Sequence, residues 1–306
     1  MQFENCTMVK LKKERNMFKN TEEKTAYLFL LPAILIIVFL IGYPFFYSIY
    51  LSVTNTSVGK TGSLIGFQNY IRLFKNAIFR QVLFNSFVFT IGAVSLKLIL
   101  GMSVALLMQK IKIFSKFIRG VFMLPWVVPP ALSALVWWWM YVPNLSVLNW
   151  IITRIGLEKI PWLSDKTTAM IAIIIVHTWI GVPFFAISIL SGLISVDSSL
   201  YEAADIEGAR GYQKFLYIAL PLIKPIVAIV LLFSTLMTIS EFNIIYIITG
   251  GNPMYGTHLL ATLAYKEGIS TGNISRGAAI SLFLFPVLFI ASYLQLRVVR
   301  KSVGRR

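Results

Sequence analysis

Acidic residues are scarce in this chain. Twelve Asp and Glu stand against twenty-eight Lys and Arg among 306 residues, and charged residues make up only 13%. Globular domains carry about 25%, so the polar residues here cannot cover a soluble surface. Cysteine is nearly absent. Cys6 is the single one, which excludes an intramolecular disulfide. With only His177 and His258 beside it, no metal-ligand spacing and no nucleophile–base pair can be assembled. Nor is there a nucleotide loop. Gly59-Lys60-Thr61 resembles the end of one, but position 54 is Thr where Gly is required. The chain is therefore expected to be no enzyme and to hold no catalytic residue, metal or cofactor of its own.

What the chain has instead is long apolar sequence, 57% of its residues. About 20 apolar residues let a helix cross the hydrocarbon core. Six runs qualify: 27–53, 82–108, 118–142, 169–194, 225–249 and 277–296. The first is too long for the apolar core of a signal peptide and reads as an uncleaved span. The fold class expected is an all-α polytopic membrane protein of six helices. A tail, 1–26, precedes the transmembrane domain, 27–299, and a basic tail, 300–306, follows it.

The net charge of +16 would suggest nucleic acid on a soluble protein. Here the cations sit at the edges of apolar runs without interleaved aromatics, so they read as topology signals and contacts to anionic lipid. Eighteen Lys and Arg fall in the N-terminal tail, the second and fourth loops and the C-terminal tail, against nine in the other loops. The positive-inside rule puts the first set, and both termini, in the cytoplasm.

The fourth loop holds the most patterned polar segment, 198–221. It reads Glu202-Ala203-Ala204-Asp205-Ile206-Glu207-Gly208, and ten residues after the glycine comes Ile218-Ala219-Leu220-Pro221. A short helix from Ser198 to Glu207, capped by Ser198 or Ser199, is predicted. Gly208 permits a reversal, and a second helical stretch stops near Pro221. This pattern resembles the EAA loop of ABC-importer permeases, with Glu207 where that family usually has Asp. Further segments are similar to the sugar permeases of the maltose type. They are Leu31-Pro32, Tyr43-Pro44-Phe45, Gly66-Phe67-Gln68-Asn69-Tyr70 and Thr249-Gly250-Gly251-Asn252-Pro253.

The resemblance implies a permease subunit of a prokaryotic cell membrane. It pairs with a second, related permease. A cytoplasmic ATPase dimer that uses ATP and Mg and an extracytoplasmic solute-binding protein complete the importer. The residues expected at the ATPase interface are Glu202, Ala203, Ala204, Asp205, Glu207, Gly208, Leu220 and Pro221. The substrate expected is a sugar, a di- or oligosaccharide. A phosphorylated polyol or charged oligosaccharide is the alternative, and an ion-coupled secondary transporter is an alternative of another class. Nucleic acid is not among the expected partners.

Two stripes at membrane depth could carry substrate contacts. His177, Ile180, Gly181 and Phe184 share a helix face by spacing, as do Ser234, Met237, Thr238 and Glu241. An ionised Glu241 facing lipid would cost about 2.5 kcal/mol or more, so it faces a wet cavity or a partner. Hydroxyl-bonding groups beside aromatic rings suit a sugar, and the resembled family holds its sugar between the corresponding helices. Helix packing with polar groups bonded across the bundle is the other reading. Lys97 lies mid-span on a face with Thr90, Ala93, Val94 and Gly101. It pairs with a carboxylate, lines the pathway or snorkels. Trp137, Trp138 and Trp139 form an interfacial belt or a stacking surface. Pro125, Pro129 and Pro130 should bend the third span, and 67–78 should form an amphipathic outer helix.

Overall fold

The computed structural model describes residues 25–111, 113–143 and 145–303. Of the tails expected at 1–26 and 300–306, residues 1–24 and 304–306 lie outside the described residues. Contacts divide the chain into two compact units that meet at Leu51 and Ser52. The first unit is carried by helix α1, Thr25–Ser52, which contains a wider π turn at Val38–Gly42 and leaves its apolar side chains exposed. Tyr47 stacks on Tyr43 at 6.0 Å and on Tyr50 at 6.2 Å along one side of it.

The second unit is a helical bundle. Its elements are α2 (Gln68–Lys75), α3 (Ala77–Lys110), α4 (Ser115–Phe122), α5 (Leu124–Val127) and α6 (Pro130–Tyr141). They are followed by α7 (Val147–Arg154), α8 (Lys166–Ile194) and α9 (Ser198–Ile206). The remainder are α10 (Gly211–Ile239), α11 (Asn243–Ile248), α12 (Leu260–Tyr265) and α13 (Ile274–Val303). Strand pairing among the described residues is limited to two isolated bridges in the loop after α1. Among the described residues, five helices, α1, α3, α8, α10 and α13, are long and apolar enough to cross a membrane. A sixth span exists if the pair Ser115–Val127 and Pro130–Tyr141 counts as one, with an 86° bend between its halves. Pro129 and Pro130 cause that bend, because neither can donate the amide hydrogen that would continue the helix.

The bundle is organised on α3 and α8, which form its most extensive helix–helix seam. Small residues allow the close approach that lipid-embedded helices need. A Cβ on Gly101 would collide with Phe185, and one on Gly181 would lie 2.6 Å from Lys97 Cδ. Both long helices start at side-chain caps. Asn76 Oδ1 accepts from Ile78 N at 2.8 Å, and Asp165 Oδ2 accepts from Thr167 N at 2.8 Å. The Asn76 cap also corrects an expectation. The amphipathic stretch is not one helix over 67–78, because Asn76 turns extended, ending α2 and starting α3.

The fifth span differs most from its expected limits of 225–249. Helix α10 starts fourteen residues earlier, at Gly211, and runs through Pro221 and Pro225. A π turn at Phe215–Ala219 precedes Pro221 and opens the helix where a proline lacks its donor. The helix stops at Ile239. Residues 240–242 break the chain, and α11 follows. The stripe expected from Ser234 to Glu241 is thus interrupted before its last member.

Candidate substrate wall and coupling loop

Helices α3, α8 and α10 converge on Thr238, which is fully buried. Its hydroxyl donates to Ser234 O at 2.6 Å, and that contact uses its only proton. Oγ1 is left as an acceptor. Lys97 Nζ on α3 donates to it at 3.0 Å and lies 3.4 Å from Ser234 Oγ. His177 Nε2 on α8 lies 3.1 Å from the same oxygen. Nε2 must then donate a proton to it. Nδ1 faces Glu241 Oε2 at 3.7 Å, beyond hydrogen-bond reach, and has no other partner among the described residues. The other carboxylate oxygen of Glu241 accepts from Ile244 N at 3.0 Å and starts α11. Glu241 thus caps the start of α11 and lies against His177.

One small cavity of about 40 Å³ opens beside this network. It is lined by six of the eight residues read from the two stripes: His177, Ile180, Gly181, Phe184, Ser234 and Met237. Thr238 lies behind them, and Glu241 joins through His177. Sequence reasoning missed three lining residues, Trp126, Phe185 and Phe233. Trp126 stacks on Phe184 with ring centroids 4.8 Å apart and 17° between planes, and Phe233 meets Phe184 at 5.4 Å. Trp126 lies in α5, just before the 86° bend, where a straight third span would have pointed it elsewhere. Lys97 also lines the cavity. It is 3% exposed, and no carboxylate of a described residue comes within ion-pair distance of it. Its direct partners are hydroxyls, so carboxylate pairing does not describe it. Chemically this wall offers an amine donor, a carboxyl group and an imidazole nitrogen without a hydrogen-bond partner, beside aromatic faces.

The tryptophan triplet divides. Trp137 is half-buried against Tyr141 and Trp179, both at 5.7 Å, whereas Trp139 is exposed.

The loop after α8 is built differently. Asp197, not Ser198 or Ser199, caps α9: its Oδ1 accepts from Ser199 N at 2.9 Å. These hydrogen bonds from Ser199 hold the Asp197 carboxyl below its ordinary pKa. The helix ends at Gly208, whose φ of +77° is the left-handed conformation glycine adopts without strain. Ala209 N closes the turn on Ala204 O at 2.9 Å, the arrangement of a Schellman cap. Lys214 Nζ then pairs with Asp205 Oδ1 at 2.6 Å across the hairpin. Ala204 is buried toward the bundle, while Glu202, Ala203, Asp205, Glu207 and Gly208 face outward. Leu220 and Pro221 lie inside α10 rather than at its end. Ile206 projects from the tip of α9 and is 90% exposed, a residue that the motif reading passed over.

The sequence profile of binding-protein-dependent transport system inner membrane components matches residues 97–303. The chain belongs to this family. The trehalose/maltose transport system permease protein MalF of Thermococcus litoralis is 31% identical over 283 residues, which is 92% of this chain and 96% of that one. The sulfoquinovosyl glycerol transport system permease protein SmoG of Agrobacterium fabrum is 31% identical over 277 residues, 90% of each chain. Among solved structures, a bacterial ABC transporter involved in the import of the acidic polysaccharide alginate has a chain of the same fold. The TM-score is 0.80 at 20% identity, covering 94% of this chain and 99% of that one. The permease is thus a multi-pass inner-membrane component, and the matched region begins at Lys97 itself.

Proposed function

We propose that this chain is the transmembrane permease subunit of an ATP-driven ABC importer for a di- or oligosaccharide. It forms the pathway together with a second, related permease. An ATPase dimer on the cytoplasmic side uses ATP and Mg, and an extracytoplasmic binding protein delivers the sugar. Both termini are cytoplasmic in this reading. The observation that carries it is the joining of α3, α8 and α10 at one polar, aromatic-faced wall, in a chain whose similar proteins are named for trehalose/maltose and sulfoquinovosyl glycerol transport.

Helix α9 is the coupling helix of this scheme. Ile206 is its apolar knob, and Glu202, Asp205 and Glu207 are its acidic rim. An exposed apolar residue encircled by charge is the usual shape of a docking point. ATP-driven closure of the ATPases moves α9, and the rigid bundle passes that motion to the wall. The permease performs no covalent step. It binds the sugar differently in two states.

Co-purification with the products of neighbouring genes tests the assembly. A sugar screen for stimulated ATP hydrolysis tests the cargo. If no ATPase co-purifies, or if no sugar stimulates hydrolysis, this reading fails. Orientation has its own test in Cys6. An impermeant thiol reagent should label it only after the membrane is opened.

A further inference from the structure

Helix α7 has eight residues, too few to cross a membrane, yet its outer side is apolar. Its inner side is accounted for. Leu148 packs against the core cluster that holds Tyr141 and Met170, and Asn149 is buried. The Asn149 side chain straps the returning loop to the helix. Its Nδ2 donates to Ile160 O and its Oδ1 accepts from Ile160 N, each at 3.0 Å. On the outer side Leu145, Val147, Trp150, Ile151, Ile155 and Leu157 are all exposed. Val147, Trp150, Ile151 and Arg154 are spaced to share one helix face, and the Arg154 guanidinium stands over the Trp150 ring at 5.2 Å. A groove of about 420 Å³ runs along this side, with Leu145, Val147, Trp150, Thr153 and Lys159 in its lining. No carboxylate of a described residue comes within ion-pair distance of Arg154 or Lys159.

The level of α7 in the bilayer follows from α8. Tyr141 Oη donates to Ala172 O at 3.0 Å, which sets the end of α6 beside the second turn of α8. Ser146 Oγ, the cap of α7, donates back to Met140 O at 2.7 Å, so α7 stays at that level. Helix α8 has 29 residues where about 20 cross the hydrocarbon, so its first turns lie at the water edge of the bilayer. We propose that the groove on α7 is a binding site for an anionic phospholipid of the leaflet in which α8 begins. The upper part of an acyl chain lies on Leu145, Val147 and Trp150, and the phosphate lies between Lys159 and Arg154. Aliphatic side chains beside a tryptophan and an arginine that shields its ring are the chemistry of that boundary. The cations outnumber the one acidic residue of 145–159, Glu158. A soluble partner fits less well. A surface that meets water between docking events would keep six large apolar side chains wet, which soluble faces rarely do. The proposal concerns the bilayer contact of the permease and does not depend on its cargo.

The test uses the complete importer, with Cys6→Ser in this chain, in nanodiscs of equal phosphatidylcholine and phosphatidylglycerol. One lipid or the other carries bromine high on its acyl chains. A bimane fluorophore is attached at Ile151→Cys or, as a solvent control, at Ser63→Cys in the exposed loop after α1. Quenching at position 151 should exceed that at 63 several-fold. It should be about five-fold stronger with brominated phosphatidylglycerol than with brominated phosphatidylcholine, the preference that a single cation near the surface supplies. Lys159→Gln with Arg154→Gln should bring the two lipids to equality, and Lys159→Gln alone decides if the pair does not assemble. Quenching at 151 no greater than at 63 overturns the proposal. So does equal quenching by both lipids with Lys159 and Arg154 in place. A benzophenone on the same cysteine names the occupant. Crosslinked lipid supports the site, and crosslinks only to the second permease or the binding protein overturn it in favour of a protein interface.

Discussion

The network around Thr238 and the loop helix α9 treat polarity in opposite ways. In the network, polar groups of three helices are buried and satisfy one another, and the one exception, His177 Nδ1, points at Glu241. On α9 the acidic side chains face outward, and only Asp205 has an ion-pair partner among the described residues. A self-satisfied network resists change, because any altered member strands a buried partner. An open helix resists little and needs a second surface to have a purpose. Substitutions in the two places should therefore fail differently: at the wall through assembly and selectivity, at the loop through coupling with assembly intact.

The sharpest test of that contrast is Gly208→Val. Nothing lies within 4 Å of the Cβ position at Gly208, so the substitution meets no steric obstacle. Its penalty comes from the φ of +77° alone, which a β-branched residue rarely adopts. The turn should rearrange and the outward face of α9 should be lost. We expect sugar-stimulated ATP hydrolysis to fall more than about ten-fold, with membrane insertion normal. Gly208→Asn should retain most activity, because Asn tolerates the left-handed region. Equal activity in the Val and Asn variants would detach α9 from coupling.

Thr238→Val probes the other side. Val matches Thr in shape but cannot accept from Lys97 or His177. Two buried donors then lose a partner, a loss of about 2–4 kcal/mol. Thermal stability and yield of the complex should drop before any effect on coupling can be read. Normal stability would mean that water replaces the hydroxyl and that the network is wetter than its burial indicates.

The two regions also differed in how far the sequence revealed them. The six apolar runs and the wall stripes were legible because period and polarity are local properties. His177, Ile180, Gly181 and Phe184 needed only helical spacing to fall on one cavity. Glu241 was legible as a polar residue at depth, but its geometry was not, since the break at 240–242 has no Gly or Pro to mark it. Trp126 was hidden because its direction depends on an 86° bend whose angle proline alone does not set. In the loop, Gly208 stood at the turn as its residue type suggests. The cap came from Asp197, one residue before the serines expected to provide it. The continuation of α10 through Pro221 depended on a π turn, for which the sequence has no clear mark.

Phe184→Ala carries a smaller expected effect and separates cargo contact from packing. Phe184 is half-buried, stacked on Trp126 and tilted against Phe233. Losing a ring that a sugar stacks on typically removes about 1–3 kcal/mol, or roughly 5- to 150-fold in affinity. Uptake should fall within that range while complex yield stays near normal. A parallel fall in yield would make the ring a packing element.

The smallest effect concerns acid, and it compares two like caps on unlike helices. Asp197 starts α9 and Asp165 starts α8, each by accepting backbone N–H groups that lower its pKa. A carboxyl with a lowered folded-state pKa contributes stability that is fully present above its unfolded value, about 3.9. That contribution fades as pH falls through the folded value. The sign is the same for both caps, but the consequence is not. Helix α8 has 29 residues and is packed along the central seam, so losing its cap frays one turn. Helix α9 has nine residues, of which only Ala204 is buried, so little else holds it. Amide-exchange protection in α9 should therefore decline below about pH 4, while protection in the body of α8 holds. Asp197→Asn keeps an acceptor without a titrating group and should flatten the decline in α9. A decline of equal size in both helices would mean that acid acts on the whole bundle rather than on the cap. An unchanged α9 in acid would mean that the ion pair of Asp205 with Lys214, rather than the cap, secures the loop.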